Sequence, residues 1–123
     1  MIQDLHAHTY YSFCSQDKPE KVIEAAINSG VQQLGICDHN YGVGCARTDF
    51  CYDKGANRNA DYGKTLVRYF DHMDALKKLY RNKISLLCGI EVCTLITNDS
   101  YALPEKADIS FFDFCLNFFS INF

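Results

Sequence analysis

Two short strand patterns joined by one amphipathic helix fill the first forty residues, and this order constrains the fold more than any other feature of the chain. Residues 2–8 (IQDLHAH) alternate with period two, as a strand does. In "SQDKPEKVIEAAINSG" either Asp17 or Ser15 can cap a helix, Pro19 suits its first turn, and Gly30 ends it. Val22, Ile23, Ala26 and Ile27 form one apolar stripe along that helix. "VQQLGICDHN" then reads as a second strand. Strand, helix and strand with short connections make a βαβ unit, which implies a parallel sheet.

The pattern continues. Residues 40–61 are rich in Gly, Asn, Asp and Cys without periodicity and read as a long surface loop. Over 62–81, Leu66, Tyr69, Phe70, Met73, Leu76 and Tyr80 recur at helical spacing. "KISLLCGIEVCTL" predicts a third strand, and residues 108–123, rich in phenylalanine, a fourth. The expected class is α/β, with parallel strands alternating with helices in a single domain over 1–123. A hydrophobic fraction of 48% against 22% charged residues is enough for a core.

Composition also narrows the function. Twelve Lys and Arg against fifteen Asp and Glu leave a net charge of −3, which argues against a nucleic-acid partner. No apolar run is long enough to span a bilayer, and "MIQDLHAH" lacks the basic-then-apolar order of a signal peptide. Seven cysteines without a C-x-x-C pair argue against a zinc ribbon or a thioredoxin-like site. The expectation is a cytoplasmic protein with reduced thiols, several of them acting as small buried hydrophobes.

Period two then sorts the polar strand residues. Asp4, His6 and His8 share one face of the first strand, opposite Leu5 and Ala7; Gly35, Cys37 and His39 share one face of the second; Leu87, Gly89 and Glu91 share one face of the third. Each strand thus has an apolar face for helices and, at the C-terminal tip of the other face, a metal-binding residue type: His8, His39, Glu91. Gly35 and Gly89 below these tips would leave space inside. A lone histidine on a strand is more often structural. Here three imidazoles and a carboxylate fall on strand tips with consistent parity, where α/β barrels place their chemistry, and such a set suits zinc, manganese or iron.

"DLHAHT", "GICDHN" and "CGIEV" resemble the first three motifs of the PHP family, named for polymerase and histidinol phosphatase. "CDHNYG" and "LLCGIEV" most resemble its histidinol-phosphatase-like branch. The resemblance runs from residue 2 to about 93, and weakly to 116. It implies a partial, distorted (β/α)7-type barrel and hydrolysis of a small-molecule phosphomonoester by metal-activated water, with two or three divalent ions in an intact member. By resemblance, His6 and His8 bind one ion, His39 binds a neighbouring ion and Glu91 bridges two. Asp4 matches the family's motif aspartate, an outer partner that orients an imidazole. Asp38, of opposite parity to His39, is placed outside the ligand layer too. Family members often carry another ligand near "YYSFCSQD"; Cys14 and Asp17 are candidates there, a buried or inert thiol being the alternative. Arg47, Lys54 and Arg58 are candidates for clamping the phosphate, with solvated loop charges as the competing reading. His72 matches no motif and reads as a helix-surface or packing residue.

The family pattern continues beyond Glu91 with later histidines, and this sequence has none after His72. The expected barrel is therefore partial, since α/β barrels of this kind take roughly 200 residues or more. Its open side and the phenylalanines of 111–123 favour either packing back over the open face or self-association. Weak or absent turnover is expected, and a non-catalytic metal-binding or assembly module is the alternative function. A PHP-type nuclease is disfavoured by the acidic charge.

Overall fold

The computed structural model describes residues 1–12, 14–39, 62–93 and 112–118. Among these, β1 (Gln3–Ala7), α1 (Pro19–Asn28), β2 (Gln33–His39), α2 (Tyr62–Tyr80), β3 (Ser85–Cys93) and β4 (Phe114–Phe118) follow one another in that order. The four strands form one parallel sheet in the order β1-β2-β3-β4, curled as part of a barrel. The expected partial α/β barrel is thus present. The expected loop over 40–61 lies outside the described residues.

α1 begins with Pro19 in its first turn, where a missing N–H costs nothing. Neither Asp17 nor Ser15 caps it. Lys18 holds the cap position without a side-chain bond, because the Asp17 carboxylate instead accepts a hydrogen bond from Lys21 Nζ at 2.6 Å. The helix ends as expected at Gly30, whose φ of 81° suits glycine. Gly30 N–H donates to Ile27 O and Val31 N–H to Ala26 O, each at 3.0 Å, which satisfies two terminal carbonyls in a Schellman motif.

The core lies between the sheet and the two helices. Ile23 of α1, Tyr69, Met73, Leu76 and Tyr80 of α2, Ile84 just before β3, and Leu34, Ile36, Leu86 and Cys88 of the sheet are its buried members. Val22, Ala26, Ile27 and Phe70 pack against it from the helices. Both helical stripes read from the sequence therefore face the sheet; the side chain of Leu66 lies outside the described residues. No described helix is long and apolar enough to cross a membrane.

Two features depart from the simple alternation. Asp4 pairs with Leu34 and Ala7 with Ile36, so three residues of β1 advance while β2 advances two. This irregularity interrupts the strict period between Asp4 and His6. Gly35 and Gly89 do not leave space inside. A Cβ on Gly35 would lie 2.8 Å from Cζ of Phe114, and one on Gly89 would overlap the same ring. Phe114 pairs with Gly89 in register, and its ring fills what the two glycines vacate. Phe112, two residues earlier, packs on the helix side, 4.7 Å from the Phe70 ring centroid. Some of the aromatic tail thus covers both faces of this chain's own sheet.

Candidate metal centre

Adjacent parallel strands bring the polar tips into one place. His6 lies in β1 and His8 directly follows it. His39 closes β2, and Glu91 of β3 stands beside it in register. Glu91 is the hub. Its Oε2 is 2.8 Å from His8 Nε2, 3.0 Å from His6 Nε2 and 3.6 Å from His39 Nδ1. The His6 and His8 rings stack with centroids 5.0 Å apart, and His8 meets His39 edge-on at 4.5 Å. The Glu91 side chain is 8% exposed and that of His6 43%, so the cluster opens to solvent on the His6 side.

An apolar core gives no reason to gather three imidazoles around one buried carboxylate oxygen. The residue types are those a divalent cation of the zinc, manganese or iron type takes: imidazole nitrogens and a carboxylate oxygen, here gathered in contact with one another. The electrostatics fit as well. Burial holds the His39 imidazole below its ordinary value, with His8 and His6 adding to the effect and Glu91 opposing it. A neutral imidazole keeps a lone pair for an ion.

Two thiols flank the histidines. His8, Cys14 and His39 form one group of donors within 4.8 Å of one another, and His6, His8 and Cys37 form another. Cys14 Sγ lies 3.1 Å from His8 Nδ1, so His8 has Glu91 at one ring nitrogen and Cys14 at the other. Burial pushes the Cys14 thiol up, and the negative charges of Asp38 and Glu91 push it further. Cys37 was not singled out as a donor in the sequence, although its parity with His39 was the available signal. It is buried, its thiol donates to Leu5 O at 3.8 Å, and burial pushes its pKa up to about 12.

The remaining sequence candidates take other places. Asp4 Oδ1 accepts the backbone N–H of His6 at 3.0 Å, so it fixes the strand that carries His6. Asp38 is fully buried. It accepts hydrogen bonds from Thr9 N–H, Thr9 Oγ1 and Ser12 Oγ, all at 2.6 Å. Burial pushes its carboxyl above the ordinary range, against these three donors. Ser12 Oγ in turn accepts His39 N–H at 2.9 Å. Asp38 therefore fastens the turn after His8 to the strand that ends in His39. Asp17 holds Lys21 rather than the cluster. His72 is more than a surface residue: its ring bridges Tyr11 and Glu20. Arg47, Lys54 and Arg58 lie outside the described residues.

Comparison with known proteins gives a family and one relative. The PHP domain model matches residues 4–121. A histidinol-phosphatase of Lactococcus lactis subsp. lactis (strain IL1403) is similar, with 25% identity over 89 residues, covering 72% of this chain and 28% of that protein. The chain thus spans less than a third of the length of that relative. No solved structure matches it.

Proposed function

The chain belongs to the PHP domain family, and we propose that it is a metal-dependent phosphoesterase acting on a small phosphomonoester of the histidinol phosphate kind. The observation that carries this reading is the convergence of His6, His8 and His39 on one oxygen of Glu91. These four residues are the proposed ligands. A divalent cation held by such a set supplies charge neutralisation for a phosphoryl group and acidifies water toward neutral pH.

The chain's own groups have separate tasks. Glu91, whose Oε2 meets all three imidazoles, would be the carboxylate that the bound ions hold in common. His39, kept neutral by burial, offers a lone pair without first losing a proton. Asp4 and Asp38 act behind the ligands: Asp4 on the backbone of His6, Asp38 on the Thr9–Ser12 turn and through Ser12 on the backbone of His39. The exposed side at His6 is the route for a phosphate ester. Arg47 and Arg58 are the proposed phosphate contacts, on sequence grounds.

A second reading has its own support. The three contacts at Glu91 Oε2 account for holding an ion and involve no substrate group, so a metal-binding module without turnover fits them too. One experiment decides between them: metal content of the purified chain together with hydrolysis of histidinol phosphate in zinc or manganese. Bound metal with turnover supports the phosphoesterase, and bound metal without turnover supports the module. Equal metal content in wild type, His6→Ala and Glu91→Ala would sink both.

A further inference from the structure

We propose that His72 is a positioning residue for the metal centre: bridging Tyr11 to Glu20, it fixes from the helix side the turn that follows His8. This rests on the metal-centre reading above and extends it to a residue no motif contains.

The turn from Thr9 to Ser12 is held at two levels. Toward β2, Thr9 and Ser12 bind the buried Asp38 carboxylate, and Ser12 Oγ accepts His39 N–H. Toward the helices, Tyr11 lies 2.8 Å from His72 Nδ1, and His72 Nε2 lies 2.9 Å from Glu20 Oε1. Burial, reinforced by Tyr10, raises the phenol of Tyr11 far above its ordinary value, so its O–H is retained beside Nδ1. Nε2–H donates to the Glu20 carboxylate, which only accepts. One imidazole thus links the turn to α1, through Glu20, and to α2, its own helix.

The surroundings make this link hard to replace. The Tyr11 ring meets the fully buried Tyr69 edge-on at 4.9 Å and His72 at 5.8 Å, which fixes where its hydroxyl points. Glu20 Oε2 is buried and has no hydrogen-bond partner among the described residues, and the other oxygen meets His72 Nε2. Tyr11 is three residues from His8, whose two ring nitrogens face Glu91 and Cys14. If the helix-side hold is lost, Asp38 still anchors the turn, but the ring of His8 gains freedom. Loss of groups behind a ligand commonly lowers metal affinity by about 10- to 100-fold.

The test is zinc affinity by titration calorimetry on the full chain, with thermal melting of the metal-free protein alongside. Tyr11→Phe deletes one hydroxyl and keeps the ring packing, so it serves even if His72→Leu fails to fold. The expected result is a fall in affinity of about tenfold in Tyr11→Phe and in His72→Leu. The metal-free melting temperature of Tyr11→Phe should stay near that of wild type, and the double variant should lose no more affinity than either single. Glu20→Gln, which keeps an acceptor for Nε2–H, should restore most of the affinity that Glu20→Ala loses. Unchanged affinity in Tyr11→Phe and His72→Leu, with zinc still bound by wild type, overturns the positioning role and leaves the metal centre standing. A lower melting temperature with unchanged affinity overturns it equally. Absence of zinc binding by wild type overturns both.

Discussion

Glu91 Oε2 stands 2.8 Å from Nε2 of His8, a contact made across β2, since β1 and β3 are not neighbours in the sheet. The sheet must therefore curl for the contact to form, and the carboxylate is where the curl brings the strand tips together. Glu91→Gln keeps the shape of the side chain and removes its charge. We expect zinc or manganese affinity to fall by about tenfold or more, because removing even an outer partner of a ligand costs that much. Isothermal titration of the folded variant checks this, and wild-type affinity would show that the carboxylate is not a ligand.

Asp38 leads to a stability prediction rather than a metal one. Its two oxygens accept three hydrogen bonds from Thr9 and Ser12 in a fully buried position. Asp38→Ala leaves those donors unpaired, and a buried donor without a partner costs about 1–3 kcal/mol. The expected loss is roughly 3 kcal/mol, since some of the donors can recover water. Urea denaturation of the metal-free chain measures it. A loss below about 1 kcal/mol would mean that the turn rearranges freely.

These two residues mark how far the sequence could be read. Period two along β2 and β3 was enough to place His39 and Glu91 on one face, and the observed register puts them side by side. The alternation also placed Asp38 opposite His39. What Asp38 binds was not legible, because its partners come from a turn whose shape depends on β1 and β2 together. Register is a property of two strands, so the irregularity between Asp4 and Ala7 left no mark in β1 alone. The failed caps have a local cause: Asp17 is four residues from Lys21, and the ion pair won over the helix terminus. Cys37 carried the right parity but looked like any small core residue. The bridge at His72 joins three segments distant in sequence, and no pattern within one helix announces it.

Phe114 and the two glycines give a prediction about packing. Alanine at Gly89 would place a methyl group inside the contact distance of the Phe114 ring, and the ring lies against the sheet with Gly35 also beneath it. Overpacking of this kind costs about 1–3 kcal/mol. Gly89→Ala should therefore be destabilising in wild type and much less so in a Phe114→Leu background. A double-mutant cycle by denaturant melting reads the coupling. Additive losses would show that the ring does not occupy the space above Gly89.

Asp113 supplies the pH dependence. Its Oδ2 accepts a hydrogen bond from Lys77 Nζ at 2.5 Å and one from Cys88 N–H at 2.7 Å, and its own N–H donates to Cys88 O at 2.8 Å. It thus ties the start of β4 to β3 and to α2. Burial alone would push the carboxyl up, but the Lys77 ammonium and the Cys88 N–H prevail and hold it below its ordinary value. A depressed native pKa means that the unfolded chain binds more protons across the interval between the two values, so stability rises with pH there. The contribution is complete above the ordinary aspartate range and is lost as pH falls through the lower, native value. The side chain is 35% exposed, so solvent screening keeps the ion pair's share to within about 1 kcal/mol. Asp113→Asn keeps an acceptor for Cys88 N–H and removes the charge. The variant should be less stable than wild type at neutral pH, and the difference should shrink as pH falls through the carboxylate range. High salt should narrow the gap at neutral pH. Urea melts of both proteins at matched pH values measure the difference directly, and a gap that stays constant from neutral to acid pH would show that the Asp113 charge plays no part in holding β4.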